Sequence, residues 1–388
     1  MPTPKRPLSG LLASCLLVSG LVGCAEATPI PTETQPPMVD GDWVGHSQAL
    51  TAAGATPLTH IGDLVADPAG CLSLVGSDYS RKPPTGMVWT ATLDCTTLSA
   101  QWQTTVEFAT GTELTDIAIM PTDELIAVGN GLDANNAPIT GVVAIRDTDG
   151  RWATATELGE DSDGPMTALA IERVGDDLMI AGQYDGNASV WLSTDGYEWD
   201  RRALPVDEDL SGSQASTLAT DGDIIVVAGR GQDEDGETTT LMWNSSDGGR
   251  TWDETALPKT ATADFRIGTL VHVVGGRGFL AIGSTRSKSS GLTMYSTDGK
   301  GWKLAQPPSS GPLDVAIPTG EGRILIIARP LDEDTACGVI GMIWRDGQWR
   351  DYDLPCAEAG QARGVMLDDG TIALILGDEL WLREPVRR

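Results

Sequence analysis

Twelve tryptophans punctuate this chain of 388 residues, and their spacing restricts its fold more than any other feature. Seven of them, Trp43, Trp102, Trp152, Trp199, Trp252, Trp302 and Trp349, recur roughly every fifty residues, a period typical of repeat architectures. The other five, Trp89, Trp191, Trp243, Trp344 and Trp381, sit a short hairpin upstream of that mark. Aligning the repeats on these residues brings out a second column, an apolar run that usually closes on glycine. It reads CLSLVGS from Cys71, ELIAVGN from Glu124, DLMIAGQ from Asp177 and DIIVVAG from Asp223. It recurs as GFLAIGS from Gly278, RILIIAR from Arg323 and TIALILG from Thr371.

Short, β-branched runs of this kind suit strands buried on both faces. A shorter strand precedes each, as in DIAI from Asp116 or DVAI from Asp314, with a polar turn such as Asp368-Asp369-Gly370 between the two. Each unit thus carries strands A to D, with tryptophan on C or D. No unit can bury both faces alone, so neighbours must pack around a ring. The expected fold is all-β: a seven-bladed β-propeller of four-stranded blades over residues 41–388. The last repeat stops after Trp381 without a strand D, and the unmatched D-type tryptophan is Trp43. The N-terminal strand should therefore close the last blade and remove an exposed edge.

The C–D turns carry a signature of their own. Ser245-Ser246-Asp247-Gly248-Gly249-Arg250-Thr251-Trp252 fits the pattern Ser-x-Asp-x-Gly-x-Thr-Trp, and the turns ending in Trp199 and Trp302 are degenerate copies. Weaker traces precede Trp152 and Trp349. Here Asp and Ser bond turn amides, glycine takes the positive-φ position, and Trp caps the hairpin. The pattern resembles that of Asp-box (BNR-like) propellers, which include sialidases, sortilin-type receptors and photosystem assembly factors. That resemblance implies the propeller fold and leaves function open, because the box is a folding device.

The first two dozen residues speak to location. Lys5 and Arg6 precede an apolar stretch from Leu8 to Val22, the layout of a signal peptide, here spanning residues 1–23. It ends in Leu21-Val22-Gly23-Cys24, which resembles the lipobox of bacterial lipoproteins. The resemblance implies that Cys24 carries lipid and that the chain is exported and held on the outer face of the cytoplasmic membrane. Residues 24–40, with Pro29, Pro31, Pro36 and Pro37, form a linker. Fully extended, such a segment reaches roughly 50 Å.

The formal charge of −29 becomes −31 without residues 1–23, which hold two cations and no anions. So acidic a surface argues against nucleic acid and against lying on anionic lipid. Of six cysteines, Cys15 leaves with the signal and Cys24 takes lipid, so four remain with three possible pairings. Cys71 and Cys95 share one repeat, and Cys337 and Cys356 another, so each pair is expected to close within its blade. Loops of this size give about 3 kcal/mol each on chain-entropy grounds.

A search for chemistry finds little. Sialidases, the enzymatic members of the resembled group, need three converging arginines, a Tyr–Glu pair, an acid Asp and a Phe-Arg-Ile-Pro motif in the first blade. Phe265-Arg266-Ile267-Gly268 lies in the fifth blade and lacks the proline. His46, His60 and His272 have no paired-ligand spacing, so no metal or cofactor is expected. No nucleophile elbow or P-loop is present. Asp233-Glu234-Asp235-Gly236 and Asp332-Glu333-Asp334 could hold calcium, but the EF-hand spacing is missing and solvated charge is the expectation.

The informative surface is the mouth where the A strands begin and the B–C loops emerge. His60, Asp63, Glu113, Asp116, Gln214, Arg266, Asp314 and Arg363 stand at or near the A strands, and Tyr79, Arg81 and Tyr184 at B–C loops. Recognition usually resides on variable loops of a rigid scaffold. The reading is a non-catalytic binding or scaffold module for an envelope protein or a glycan. The alternative is a carbohydrate-active hydrolase or lyase with two mouth carboxylates about 5–9 Å apart. Cys24→Ala should abolish membrane attachment, read by fractionating cells; processed protein that still sediments with membranes refutes the anchor.

Overall fold

The computed structural model describes residues 42–46, 49–67, 71–94, 99–159, 164, 166–262, 265–275, 278–286, 290–308, 310–331, 337–357 and 360–384. They form seven four-stranded antiparallel sheets arranged as blades around a channel. In blade one, strands A to D are Thr59–Asp67, Cys71–Asp78, Thr85–Asp94 and Ser99–Thr110. Blades two to six open with strands A at Thr112–Ile119, Thr167–Val174, Leu210–Asp221, Phe265–His272 and Leu313–Pro318. Their B strands are Leu125–Leu132, Asp177–Tyr184, Ile224–Asp233, Phe279–Thr285 and Arg323–Ala328. Two helices of four residues, Ala49–Ala52 and Lys259–Thr262, are the helical content of the described residues.

Blade seven is composite. Ala362–Met366, Ile372–Leu376 and Glu379–Arg383 supply three strands, and Val44–His46 adds the fourth. Val44 pairs with Leu382 and Gly45 with Trp381, as the unmatched tryptophan predicted. The clasp is reinforced from blade six. Trp43 Nε1 donates to the Asp353 carbonyl at 3.0 Å. The buried Arg383 guanidinium lies 5.2 Å from the Trp43 ring and 4.7 Å from that of Tyr352. A cation held between two aromatic faces suits a site where the charge is desolvated.

The core is divided among the seams. Seven apolar clusters each join neighbouring blades, from Trp89 with Leu380 between blades one and seven to Leu325 with Leu374 between six and seven. Trp89 and Trp243 are fully buried, and their indoles donate to the Ala53 and Pro205 carbonyls. Truncating either would cost about 3–5 kcal/mol. The D-type tryptophans serve the turns. The indoles of Trp199, Trp252 and Trp302 donate to the carbonyls of Gly196, Gly249 and Gly299. Asp247 accepts from the amides of Thr251 and Arg250 and from the Ser245 and Thr251 hydroxyls, and these bonds hold its carboxyl down to about 2.

The glycine that closes each B strand has a local cause. In blades one to six, strand A carries a bulge at one level, for example between Leu114 and Asp116. In blades one to five the bulge presses an A-strand carbonyl against strand B. A Cβ at Gly76, Gly129, Gly182, Gly229 or Gly283 would overlap the carbonyl oxygen of His60, Glu113, Thr167, Gln214 or Arg266. These glycines are therefore steric requirements. The Cys337–Cys356 disulfide is present, with 4.9 Å between Cα atoms. The expected Cys71–Cys95 pair involves Cys95, which lies outside the described residues, as does the acidic run 332–334.

A side chain at Gly45 would meet the Trp381 ring at 2.5 Å. Gly45→Val should therefore loosen the clasp by about 1–3 kcal/mol, and deleting residues 41–48 should lower the melting temperature further. Deleting 26–37 should leave it unchanged. Equal melting temperatures for all three variants, by calorimetry, would show that closure does not support the ring.

Candidate functional site at the channel mouth

Strand register aligns the seven inner strands and shows which residues share a level. The first level at the mouth holds Gln361, His60, Glu113, Thr167, Gln214, Arg266 and Pro312, going round from blade seven to blade six. Three residues deeper in blade one, the pairing places Asp63 level with Asp116 and with Arg363 of blade seven. Arg363, Asp63 and Asp116 thus come from three consecutive blades at one height. Glu172 of blade three lies two residues further down, since Ala170 is the blade-three residue at that height.

Their bonds cross the seams. Arg363 donates from Nε to the Gly62 carbonyl and from Nη2 to the Ile61 carbonyl at 3.0 Å. The Asp63 and Asp116 carboxyls are hydrogen-bonded to each other. Asp116 also accepts from the amides of Ile117 and, across the next seam, Ile171, both at 2.8 Å. Two carboxyls in contact cannot both ionise cheaply, so they hold a proton between them. Desolvation and then the Asp63 charge raise Asp116 well above the ordinary range; desolvation also raises Asp63, although Arg363 opposes it. For Glu172, desolvation followed by the Asp63 charge pushes the carboxyl up to about 7.

Above this level the mouth is wider. Tyr79 donates to Glu113, whose second oxygen accepts from Asn130 at 3.0 Å. Desolvation, then that bond, raises the Tyr79 phenol above its usual range. His60 stands edge-on to Tyr79, with ring centroids 6.5 Å apart, and desolvation followed by the Arg363 charge lowers its pKa. Between blades six, seven and one lies a cleft of about 480 Å³ lined by His60, Asp314, Arg329, Gly360, Gln361, Ala362 and Arg363. Arg329 grips Asp314 with Nε at 2.7 Å and Nη2 at 3.0 Å, and half of its side chain remains exposed.

The cleft brings together three of the expected residues, His60, Asp314 and Arg363, while Asp63 and Asp116 lie deeper. Others sit elsewhere. Tyr184 packs under Arg201 at 4.2 Å, Gln214 donates to Thr167 across its seam, and Arg81 pairs with Glu107 on the rim. Arg266 is exposed on blade five. Asp233 is occupied by the amides of Asp235 and Glu237, and among the described residues no group of acids and histidines has metal-binding geometry. Arg329, Gln361 and Glu172 were not anticipated. One signal did exist for Arg329: RILIIAR is the run that ends on arginine where the others end on or next to glycine.

The chain matches no described sequence family and no curated protein. Its fold does match solved propellers. The structure of YCF48 bound to a D1 peptide aligns with a TM-score of 0.54 at 12% identity, covering 89% of this chain and 96% of that one. An α-L-arabinanase from Penicillium chrysogenum in complex with arabinobiose gives 0.51 at 12%, over 75% and 94%. The propeller domain of the Trilobed protease from Pyrococcus furiosus gives 0.50 at 13%, over 85% and 93%. At such identities the likeness establishes the seven-bladed fold alone.

Asp63, Asp116 and Glu172 share one pH signature. Each has a folded pKa above its unfolded value, so its stabilising contribution is complete below the unfolded pKa and is lost as pH rises through the folded one. For Glu172 that window runs from its ordinary 4.5 to about 7. The melting temperature should rise on acidification from pH 8 to pH 5. Glu172→Gln and Asp63→Asn, whose amide can donate to Asp116 in place of the shared proton, should flatten that slope. Parallel melting curves for wild type and both variants across this range would refute the proton-sharing cluster.

Proposed function

We propose that this protein is a lipid-anchored, extracytoplasmic propeller that binds a segment of another envelope protein, without catalysis, in the cleft between blades six, seven and one. The observation that carries this reading is the commitment of the mouth acids. Asp63 and Asp116 are in contact, whereas glycosidase pairs stand about 5–9.5 Å apart. Both oxygens of Asp116 accept backbone amides, and both oxygens of Glu113 accept side-chain donors. Acids bound in this way serve the seams between blades. The groups left facing the cleft are donors, Arg329, Arg363 and His60, which orient a ligand without an acid–base pair of the usual spacing.

A protein partner fits better than a glycan. All twelve tryptophans belong to the repeat, which leaves few aromatic platforms for sugar stacking. A propeller of like fold, YCF48, is described with a bound peptide, and the likeness extends over most of both chains. The enzymatic alternative keeps one observation in its favour: Glu172, pushed up to about 7 beside Asp63, has the acidity of a general acid.

Reversing the charge of the cleft separates the two. Cross-linking in intact cells should capture the same partner with wild type and with Arg81→Gln, and lose it with Arg329→Asp. Capture that survives Arg329→Asp overturns the proposed site. A glycan-cleaving activity abolished by Glu172→Gln would establish the enzymatic reading instead.

A further inference from the structure

We infer that the seam between blades six and seven is a carboxylate-binding subsite, in which a ligand oxygen takes the place that a side-chain oxygen fills in three other seams. The inference rests on the mouth being a binding site and names the chemistry it selects.

The argument starts from what closes the other seams. An antiparallel strand turns alternate amides away from its partner, so each inner strand points one N–H at the preceding blade. Three of these amides meet a side-chain oxygen from that blade. Leu114 N–H donates to Ser77 Oγ at 2.9 Å, Ala168 N–H to Asn130 Oδ1 at 2.9 Å, and Ile61 N–H to Gln361 Oε1 at 2.7 Å. The acceptors come from the two mouth positions of the preceding blade, one on strand A and one on strand B.

The equivalent amides of Ala215, Ile267 and Leu313 meet no described side-chain acceptor either, but blade six differs from its neighbours in offering no side chain able to accept. Register makes Ala362 of blade seven the counterpart of Ile61 and Ala168, because the B-strand partner of each lies two residues beyond the partner of the strand-C tryptophan, Trp381, Trp89 or Trp191. The two acceptor positions that should serve its amide are Pro312 and Arg329, since Arg329 N–H donates to the Pro312 carbonyl as the mouth pair of blade six. Proline has no polar side chain, and a guanidinium is a donor with no acceptor. No described side chain accepts from Ala362 N–H, and Ala362 is only 4% exposed. A buried backbone donor without a partner is unfavourable and invites an acceptor.

The surroundings specify which acceptor. The seam opens into the cleft, where Arg329 and Arg363 flank Ala362. Asp314 occupies Nε and Nη2 of Arg329 and leaves Nη1 unbound by it. Arg363 is held by neutral carbonyls. Converging donors with positive charge select an anionic oxygen pair, and a carboxylate fits guanidinium and amide geometry together. For a protein partner the group is an Asp or Glu side chain or a chain terminus.

The test repairs the seam. Arg329→Asn puts at blade six the residue that blade two uses at the same level, Asn130, whose oxygen closes its seam. Fluorescence anisotropy on the detergent-solubilised full chain, with labelled hexaglutamate and hexaglutamine as probes, reads binding. Hexaglutamate should bind better than hexaglutamine, and Arg329→Asn should weaken it about tenfold or more, as loss of a charge-assisted bond predicts. Its melting temperature should not fall, because the amide gains its acceptor. Should the single variant fold poorly, Asp314→Asn with Arg329→Asn removes the unpaired acid and should show the same loss. Equal binding of the two peptides overturns the inference, as does undiminished hexaglutamate binding by the variant. If cross-linking still captures a partner through the cleft while hexaglutamate is ignored, the binding reading stands and the carboxylate is wrong.

Discussion

The carbonyl oxygens of His60, Glu113, Thr167, Gln214 and Arg266 press against strand B where a side chain would otherwise stand. This contact accompanies the bulge in the inner strands of blades one to five, and much of the mouth follows from the contact. A bulge adds a residue and twists the strand locally. Here it follows the residue whose amide faces the preceding blade and sets Asp63 and Asp116 at one level in the channel. Glycine is the residue that admits this approach, so the glycine column records where the channel is shaped.

That column was legible in the sequence, and so was the fold. Tryptophans at a fixed period mark the hairpins, and the surplus Trp43 with the missing last strand required the closure now seen between Val44–His46 and Glu379–Arg383. The site was harder to read, because a polar residue on an inner strand can serve a ligand or a seam. Asp116 and Gln214 look alike in sequence to a ligand-binding group, yet each spends its bonds on a neighbouring blade. Which role applies depends on contacts between blades some fifty residues apart, as periodicity implies, and no local pattern encodes them. Arg329 was concealed for the opposite reason. It closes an apolar run, and its meaning appears only when Asn130 and Ser77 are placed at the same level in other blades.

Charge adds a second layer. The chain carries a net −29, yet its cleft is lined by two arginines, Arg329 and Arg363, against one acid, Asp314. An acidic surface around a small cationic recess repels bulk anions at long range, while salt screens that repulsion beyond about 8–10 Å. Close contact is then governed by the recess itself. The proton shared by Asp63 and Asp116 matters here: with both acids ionised, two negative charges would stand below Arg363, whereas one proton between them leaves a single charge. The same cluster therefore joins blades one to three while limiting the negative charge beside blade seven.

The cleft also depends on the completed ring. Its wall is tied to blade one by Gln361 to Ile61 and Thr59, and by Arg363 to Ile61 and Gly62, contacts that span 300 to 302 residues. Blade seven itself needs both ends of the chain. Contacts of such separation form late, because loop closure must precede any gain from them. A chain that lacks its closing strand can still pack blades two to five on one another, but it cannot hold Ala362, Arg363 and His60 in register. Ligand binding at this cleft is thus conditional on closure of the propeller, and by linkage a ligand that binds only the closed ring stabilises the clasp in return.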